Sequence, residues 1–261
     1  MTEQKMEFND GAAYEQMMGQ WSRLAGDVFL DWLAVESGLR WLDVGCGNGA
    51  FTEGVVRRCA PVAVEGVDPS QAQLEFAQTR HDASVARFQQ GDAMNLPYEA
   101  DAFDVAVMAL VLFFVPEPAK GLAEMHRVVR SGGVVAAYAW DVLGGGNPTN
   151  ALEEEMVKMG LTALRAPSAE ASRLDAMEDL WTRDGLVEVE THEITVQRSF
   201  VDFEDVWETS KLIPSAAPII ASMGQKDVDT LKQRLKGRLP AQSDGIVKCR
   251  ARANAVKGRV V

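Results

Sequence analysis

The sequence predicts an α/β fold built on a mostly parallel sheet that helices cover on both faces. After residue 40, short apolar runs alternate with amphipathic stretches of about ten residues, which is the pattern of successive βαβ units. Near the end of the chain, two longer segments alternate apolar and polar residues, as strands with two unlike faces do. Together these observations predict a parallel sheet that is closed by an antiparallel last strand.

Seven strands are predicted, near residues 40–45, 62–67, 85–90, 103–109, 133–140, 186–198 and 246–256. Helices are predicted from about residue 49 and near residues 70–80, 117–130, 149–163, 172–184 and 226–238. A helical leader precedes them, because apolar residues recur at helical spacing over residues 12–33. We expect the last two strands to pair antiparallel. Opposite charges would then meet across the pair, with Glu188 and Glu190 near Lys248, Arg250 or Arg252.

Composition narrows the function classes. The formal charge of −12 argues against a nucleic-acid substrate, because phosphate binding needs a basic surface. The charge is unevenly distributed: the segment from Met223 onward contains ten basic and three acidic residues. This basic segment either neutralises the acidic rest of the protein or forms a basic rim near the substrate.

No apolar run approaches the ~18 residues of a membrane span, and the start of the chain lacks the pattern of a secretory signal. Three cysteines without metal-ligand spacing predict no metal site and a reduced cytoplasmic compartment.

The glycine loop Gly45–Gly49 follows the first predicted strand and precedes a helix. Glycines allow positive φ angles and close approach of a ligand, and the helix start offers free N–H donors. Asp68 ends the next strand, where a carboxylate can accept hydrogen bonds from both hydroxyls of a ribose. These two features indicate an adenosine cofactor, but they fit NAD and S-adenosylmethionine equally well.

A third feature separates these cofactors. Gly91-Asp92-Ala93 closes the third strand, within GDAMNLPYEADAFDVAV. With WLDVGCGNG, VEGVDPS and EMHRVVRSGG, this segment resembles the class I S-adenosylmethionine-dependent methyltransferases, in their order and spacing from residue 41 to about 140. Among them the chain is most similar to the small-molecule branch related to ubiquinone and menaquinone biosynthesis methyltransferases. The resemblance implies a Rossmann-like, doubly wound sheet, S-adenosylmethionine as cofactor and S-adenosylhomocysteine as product.

The resemblance also implies roles for individual residues. The amino-acid end of the cofactor would lie along the loop and the end of the fourth strand, at Asp43, Gly45, Cys46, Gly47 and Leu110. The adenosine end would be held by Asp68 at the ribose and by Pro69, Asp92 and Ala93 at the adenine. Tyr14 and Trp21 of the leader either cover the cofactor or pack in the core.

The chemistry needs few side chains, because the sulfonium of the cofactor is already an activated methyl donor. No catalytic residue is identified, and the weak candidate is Asp141, which directly follows the fifth strand. The acceptor pocket is predicted to be apolar and to be lined by Phe113, Phe114, Trp140, Phe203 and Trp207. Residues 200–240 either form a lid over this pocket or simply pack on the sheet.

We therefore predict one methyltransferase domain over residues 1–261, with a helical leader at 1–38, a cofactor-binding half at 39–142 and a substrate-side half at 143–261. Its expected activity is transfer of a methyl group from S-adenosylmethionine to a small, hydrophobic acceptor. Two alternatives stay open. One is a non-catalytic S-adenosylmethionine-binding protein, and the other is an NAD-linked oxidoreductase, for which the chain offers no convincing Tyr-Lys or His pair.

Overall fold

The computed structural model describes residues 15–80, 85–162 and 165–261. Tyr14, one of the two leader residues predicted to cover the cofactor, lies outside these residues. The strands are β1 Arg40–Val44, β2 Ala63–Asp68, β3 Ala86–Gln90, β4 Phe103–Ala109, β5 Val129–Trp140, β6 Val187–Phe200 and β7 Val247–Arg259. They form one seven-stranded sheet in the order β3-β2-β1-β4-β5-β7-β6.

The strand directions confirm the fold class. Strands β1 to β5 pair in parallel with their neighbours, whereas β7 pairs antiparallel with both β5 and β6. The chain runs outward from β1 to β2 and β3, and then returns to place β4 on the other side of β1. Such a reversal opens a crevice beyond the carboxyl ends of β1 and β4, where ligands of open α/β sheets bind.

Helices follow β1, β2, β4 and β5 and cover the sheet. They are α1 Gln20–Leu33, α2 Ala50–Cys59, α3 Gln71–Ala77, α4 Pro118–Val128, α5 Asn150–Lys158, α6 Leu174–Arg183, α7 Phe203–Ser210, α8 Ala217–Ser222 and α9 Gln225–Arg238. The described part of the leader starts with a π-helical turn, Glu15–Gly19, which continues directly into α1. None of the helices in the described ranges combines the length and the apolar content that crossing a membrane requires.

The antiparallel pairing of β6 and β7 is confirmed, but the predicted charge partners are wrong. Glu188 faces Arg259, with Oε2 3.0 Å from Nε, and Glu190 faces Lys257, with Oε2 3.3 Å from Nζ. Lys248, Arg250 and Arg252 instead lie opposite Ser199, Gln197 and Thr195. The reason is strand direction: in an antiparallel pair the start of one strand meets the end of the other, so the start of β6 faces the end of β7, where Lys257 and Arg259 lie.

The segment between β6 and β7 lies at the carboxyl edge of the sheet. Because β6 runs in the same direction as β5, it ends at this edge, and β7 starts from it. The intervening residues 201–246 carry α7, α8 and α9, of which α9 was predicted from its periodicity. The buried carboxylate of Glu155 on α5 pairs with Arg238 of α9 at 3.3 Å. The predicted lid region is therefore a set of helices beside the crevice.

Candidate functional site

The glycine loop joins β1 to α2 in a conformation that depends on its glycines. Gly45, Gly47 and Gly49 have φ angles of +76°, +51° and +77°, in the region that side chains disfavour. The Gly45 N–H donates to the Val67 carbonyl at 2.7 Å, which fixes the loop to the end of β2. A Cβ added at Gly47 would meet no described atom within 4 Å. The loop thus offers open backbone at the crevice, as close approach of a ligand requires.

Asp43 lies beneath the loop as a buried carboxylate. Its Oδ2 accepts a hydrogen bond from the Thr52 hydroxyl at 2.6 Å, whereas Oδ1 has no partner among the described residues. Burial raises the pKa of Asp43 to about 7, and the nearby charge of Asp68 adds to the rise. A buried acceptor without a partner is costly, so this oxygen favours a ligand that can donate to it.

Asp68 stands at the end of β2, beside the loop. Its Oδ2 accepts from the Gly47 N–H at 2.9 Å and its Oδ1 from the Ser70 N–H at 2.8 Å. Burial raises the pKa of Asp68, and these two hydrogen bonds oppose the rise. A carboxylate has about four acceptor positions, so each oxygen can still accept a hydroxyl group. The pair of positions suits the two hydroxyls of a ribose.

The end of β3 presents Asp92 and Ala93 at the same edge. The Asp92 Oδ1 accepts from the Met94 N–H at 2.9 Å, and Asp92 itself is exposed. Pro69, also exposed, follows β2 next to this strand, and its carbonyl accepts from the Gln90 side-chain amide at 2.9 Å. Asp92 and Pro69 therefore lie near the ends of neighbouring strands and face solvent, whereas Ala93 is partly buried.

The turn after β4 packs directly against the glycine loop. Leu110 is buried with a φ of +63°, which is unusual for a branched side chain, and its N–H donates to the Tyr138 carbonyl at 2.8 Å. This conformation places Val111 against Gly45, where an added Cβ would lie 2.5 Å from a Val111 methyl carbon. Sequence reasoning missed Val111, because nothing in its local pattern shows which distant loop it contacts.

The predicted acceptor-lining residues do not lie at one place. Phe113 and Phe114 contact each other in a 3₁₀ turn after β4, with ring centroids 4.3 Å apart. Phe203 and Trp207 are buried on α7 and are covered from α9, where Lys236 and Lys232 lie over their rings. Trp140 ends β5 and packs edge-on against Trp21 of the leader at 6.4 Å.

A cavity of about 40 Å³ lies between the leader, α5, the end of β6 and the helices after it. Its mostly apolar walls include Met17, Trp21, Leu152, Phe200, Ile213 and Leu235. Of the residues singled out from the sequence as functional, the leader's Trp21 lines it, and the wall residues Val206, Ile213 and Leu235 come from the predicted lid segment 200–240. The walls from α5 and the loop before it were missed, because only the folded chain brings them to the cavity.

Asp141 is engaged in structural contacts. Its Oδ2 accepts from the Arg252 guanidinium, with Nε at 3.1 Å, and its Oδ1 accepts from the Gly144 N–H at 2.9 Å. The Arg252 guanidinium also donates to the Gly144 carbonyl at 3.2 Å. The carboxylate therefore ties the loop after β5 to β7, and these contacts favour an anchoring role over proton abstraction.

The family comparison decides what kind of domain this arrangement is. The methyltransferase domain family matches residues 42–137, which run from β1 into β5 and include the loop, Asp68 and Asp92. The chain contains a class I methyltransferase domain.

Curated proteins are similar to the methyltransferase domain over part of their length. A 2-methyl-6-phytyl-1,4-hydroquinone methyltransferase from Oryza sativa is 41% identical over 96 residues, which are 37% of this chain and 28% of that protein. A malonyl-[acyl-carrier protein] O-methyltransferase from Pectobacterium atrosepticum is 30% identical over 155 residues, or 55% of this chain and 60% of that protein. The chain thus spans less than two thirds of the length of each of these relatives.

A solved structure shows that the methyltransferase fold extends over nearly the whole chain. The phosphoethanolamine N-methyltransferase 2 of Haemonchus contortus, in complex with S-adenosyl-L-methionine, superposes with a TM-score of 0.58. At 18% identity the match covers 95% of this chain and 56% of that one. At this identity the likeness shows the fold alone, and it is the domain match that supports S-adenosylmethionine as the cofactor of the methyltransferase domain.

Proposed function

We propose that the chain transfers a methyl group from S-adenosylmethionine to a small, hydrophobic acceptor. The observation that carries the proposal is the succession of groups along one edge of the sheet, within the residues that match the methyltransferase domain. The open glycine loop follows β1, the Asp68 carboxylate ends β2 and Asp92 follows β3. In this proposal residues 1–261 act as one domain.

In this proposal the residues of the site bind the cofactor and orient it. When bound, S-adenosylmethionine supplies a methyl group that its sulfonium has already activated. Asp68 would hold the ribose, the loop from Gly45 to Gly47 would lie along the amino-acid part, and Asp92 with Ala93 would hold the adenine. Asp43 would accept a hydrogen bond through its unpartnered oxygen. The main contribution of the protein is then positioning in a water-poor crevice, without a side-chain nucleophile.

An apolar acceptor is supported by the walls of the cavity and by the name of one relative. The cavity between the leader and the α7–α9 segment is lined mainly by aliphatic, methionine and aromatic side chains. The Oryza relative is named for a phytyl hydroquinone, which is an apolar acceptor. We propose that the α7–α9 segment covers the acceptor. We further place the reaction in a reducing cytoplasm, which suits the three free cysteines.

Turnover tests this proposal. The purified protein is incubated with S-adenosylmethionine and a panel of quinols, phenols, amines and thiols, and both S-adenosylhomocysteine and the methylated product are measured by mass spectrometry. The expected result is stoichiometric formation of both products with at least one apolar member of the panel. Binding of S-adenosylmethionine without methylation of any member would favour a non-catalytic binding protein instead.

A further inference from the structure

A carboxylate of the leader lies in a cradle of basic and amide groups beside the cofactor loop. The Glu15 Oε1 pairs with the Arg23 guanidinium. Its Oε2 accepts from the Arg80 guanidinium at 2.7 Å and from the Asn48 side-chain amide at 3.1 Å. Both oxygens therefore have charged donors, which is the arrangement of a binding site for a carboxylate.

This carboxylate is ionised and partly shielded from water. Its side chain is 25% exposed and that of Arg80 is 10% exposed. Burial alone would raise the pKa of Glu15, but the hydrogen bonds from Arg23 and Arg80 outweigh it and lower the pKa below its ordinary value. The chain thus fills an anion site with one of its own negative charges.

The cradle belongs to the glycine loop. Arg80 donates its Nε–H to the carbonyl of Asn48, the residue between Gly47 and Gly49. Two acidic residues, Asp43 and Asp68, also lie next to the loop. Arg80 is a positively charged side chain that contacts the loop directly. A ligand with a carboxylate that lies along this loop would find its complementary charge here.

The leader is shaped to put its carboxylate in the cradle. A Cβ added at Gly19 would lie 2.5 Å from the Glu15 carboxyl carbon. The Glu15 side chain therefore lies over Gly19, in space that any side chain at position 19 would occupy. The π-helical turn over Glu15–Gly19 widens the backbone at the same place. This second observation, independent of the ion pairs, indicates that the position of Glu15 is built into the leader.

Building on the proposed function, we propose that Glu15 is an internal, displaceable competitor of the cofactor. The cradle of Arg23, Arg80 and Asn48 receives the carboxylate of the cofactor's amino-acid part, and Glu15 fills the cradle until the cofactor displaces it. Glu15 then holds the leader against the glycine loop. It lowers the affinity of the protein only for ligands that carry an amino-acid carboxylate.

Calorimetric titration with two ligands tests the competition. S-adenosylhomocysteine carries the amino-acid carboxylate, whereas 5′-methylthioadenosine keeps the adenosine and lacks the amino acid. In Glu15→Gln, which keeps the side-chain shape and removes the charge, S-adenosylhomocysteine is expected to bind at least about fivefold more tightly. The affinity for methylthioadenosine is expected to stay within about twofold.

Two further variants make the test specific. Arg80→Met is expected to weaken S-adenosylhomocysteine at least about tenfold and to spare methylthioadenosine. Glu53→Gln is the matched control, because Glu53 also pairs with Arg80 but makes no contact with the Glu15 carboxylate. It is expected to leave both affinities within about twofold of the wild type. If Arg80→Met fails to fold, the comparison of Glu15→Gln with Glu53→Gln decides.

The contrary outcomes are distinct. Unchanged or weaker binding of S-adenosylhomocysteine in Glu15→Gln overturns the competition, as does an equal gain in Glu53→Gln or an equal gain for methylthioadenosine. A wild-type protein that binds S-adenosylhomocysteine but shows one of these results leaves the proposed function intact. A wild-type protein that binds neither ligand overturns the proposed function and the competition together.

Discussion

The part of the chain from β1 to β5 and the part from α5 to β7 form their sites in different ways. In the first part, the groups assigned to the cofactor occur one after another at the ends of successive parallel strands, from the loop after β1 to Leu110 after β4. In the second part, the cavity takes its walls from the leader, α5, the end of β6 and the helices before β7. The proposed cofactor site is formed by short segments that follow one another in the sequence. The cavity is formed only when segments that are distant in the sequence pack together.

This difference predicts which substitutions should change cofactor affinity and which should change stability. Changes at the strand ends of the first part should alter cofactor affinity while leaving the core intact, because these groups face the crevice. Changes at the cavity should alter stability and the acceptor while leaving cofactor affinity intact, because its wall residues are also core residues. The following predictions test this separation, from the largest expected effect to the smallest.

Leu152→Ala should have the largest effect on stability. Leu152 is 2% exposed and lines the cavity, so the substitution should lower the free energy of unfolding by about 2–5 kcal/mol. Urea unfolding measures this, and calorimetry should show S-adenosylhomocysteine affinity within about twofold of the wild type. Val157→Ala is the matched control on the same helix, because Val157 is 62% exposed, and it should change stability by less than about 0.5 kcal/mol. A large loss of cofactor affinity in Leu152→Ala would contradict the separation.

Asp43 should make the stability of the ligand-free protein depend on pH. Its pKa is raised from 3.8 to about 7 in the folded protein, so the folded state binds more protons than the unfolded state between these values. Stability therefore falls as pH rises through this range and levels off above it. Between about pH 5 and pH 8 the loss should reach at most about 3 kcal/mol, since one pKa unit is about 1.4 kcal/mol.

Asp43→Asn should remove this contribution, because the amide does not ionise. The measurement is urea unfolding of both proteins across the pH range, with the difference between them plotted against pH. The difference should grow in favour of the variant as pH rises to about 8. Two parallel curves would show that Asp43 keeps an ordinary pKa.

Asp68→Ala should weaken cofactor binding, and it should also lower stability, because the Gly47 and Ser70 N–H groups lose their acceptor. Removing the carboxylate leaves ribose hydroxyls without acceptors, so S-adenosylhomocysteine should bind more than about 1 kcal/mol less tightly, or more than about fivefold. Asp179→Ala provides the comparison, because Asp179 pairs with Arg183 on the exposed face of α6. Thermal shift and calorimetry measure both variants. An unchanged affinity in Asp68→Ala would mean that the ribose is held elsewhere.

Asp141→Asn should have the smallest effect. The pair of Asp141 with Arg252 is partly exposed, so its loss should cost stability about 1 kcal/mol or less. Turnover should fall less than about tenfold, with the same pH dependence as the wild type, because the carboxylate anchors a loop. A loss of more than about a hundredfold, with a changed pH profile, would restore Asp141 as a general base.

The strands from β1 to β5 were predicted well because the information for them is local. Each of these strands is a short apolar run, so periodicity was sufficient to locate it. The cofactor groups that the resemblance implies lie at or near the ends of these strands, and their roles stay a prediction. The fold class and the antiparallel pairing of the last two strands were predicted for the same reason.

Long-range contacts were not predictable in this way. The partners of Glu188 and Glu190 depend on the register between β6 and β7, because a shift of register changes every cross-strand pair. The Glu15 cradle joins residues of the leader, the loop and the turn after α3, and no single segment shows this. The cavity walls are apolar residues like many others in the core, so their sequence pattern carries no signal of a pocket.

The most direct test of the cofactor site is a calorimetric titration of the purified protein with S-adenosylmethionine, S-adenosylhomocysteine and NAD. The loop, Asp68 and Asp92 together predict saturable binding of the first two ligands and none of NAD. Binding of NAD without binding of S-adenosylhomocysteine would contradict the assignment of these groups to a methyl donor.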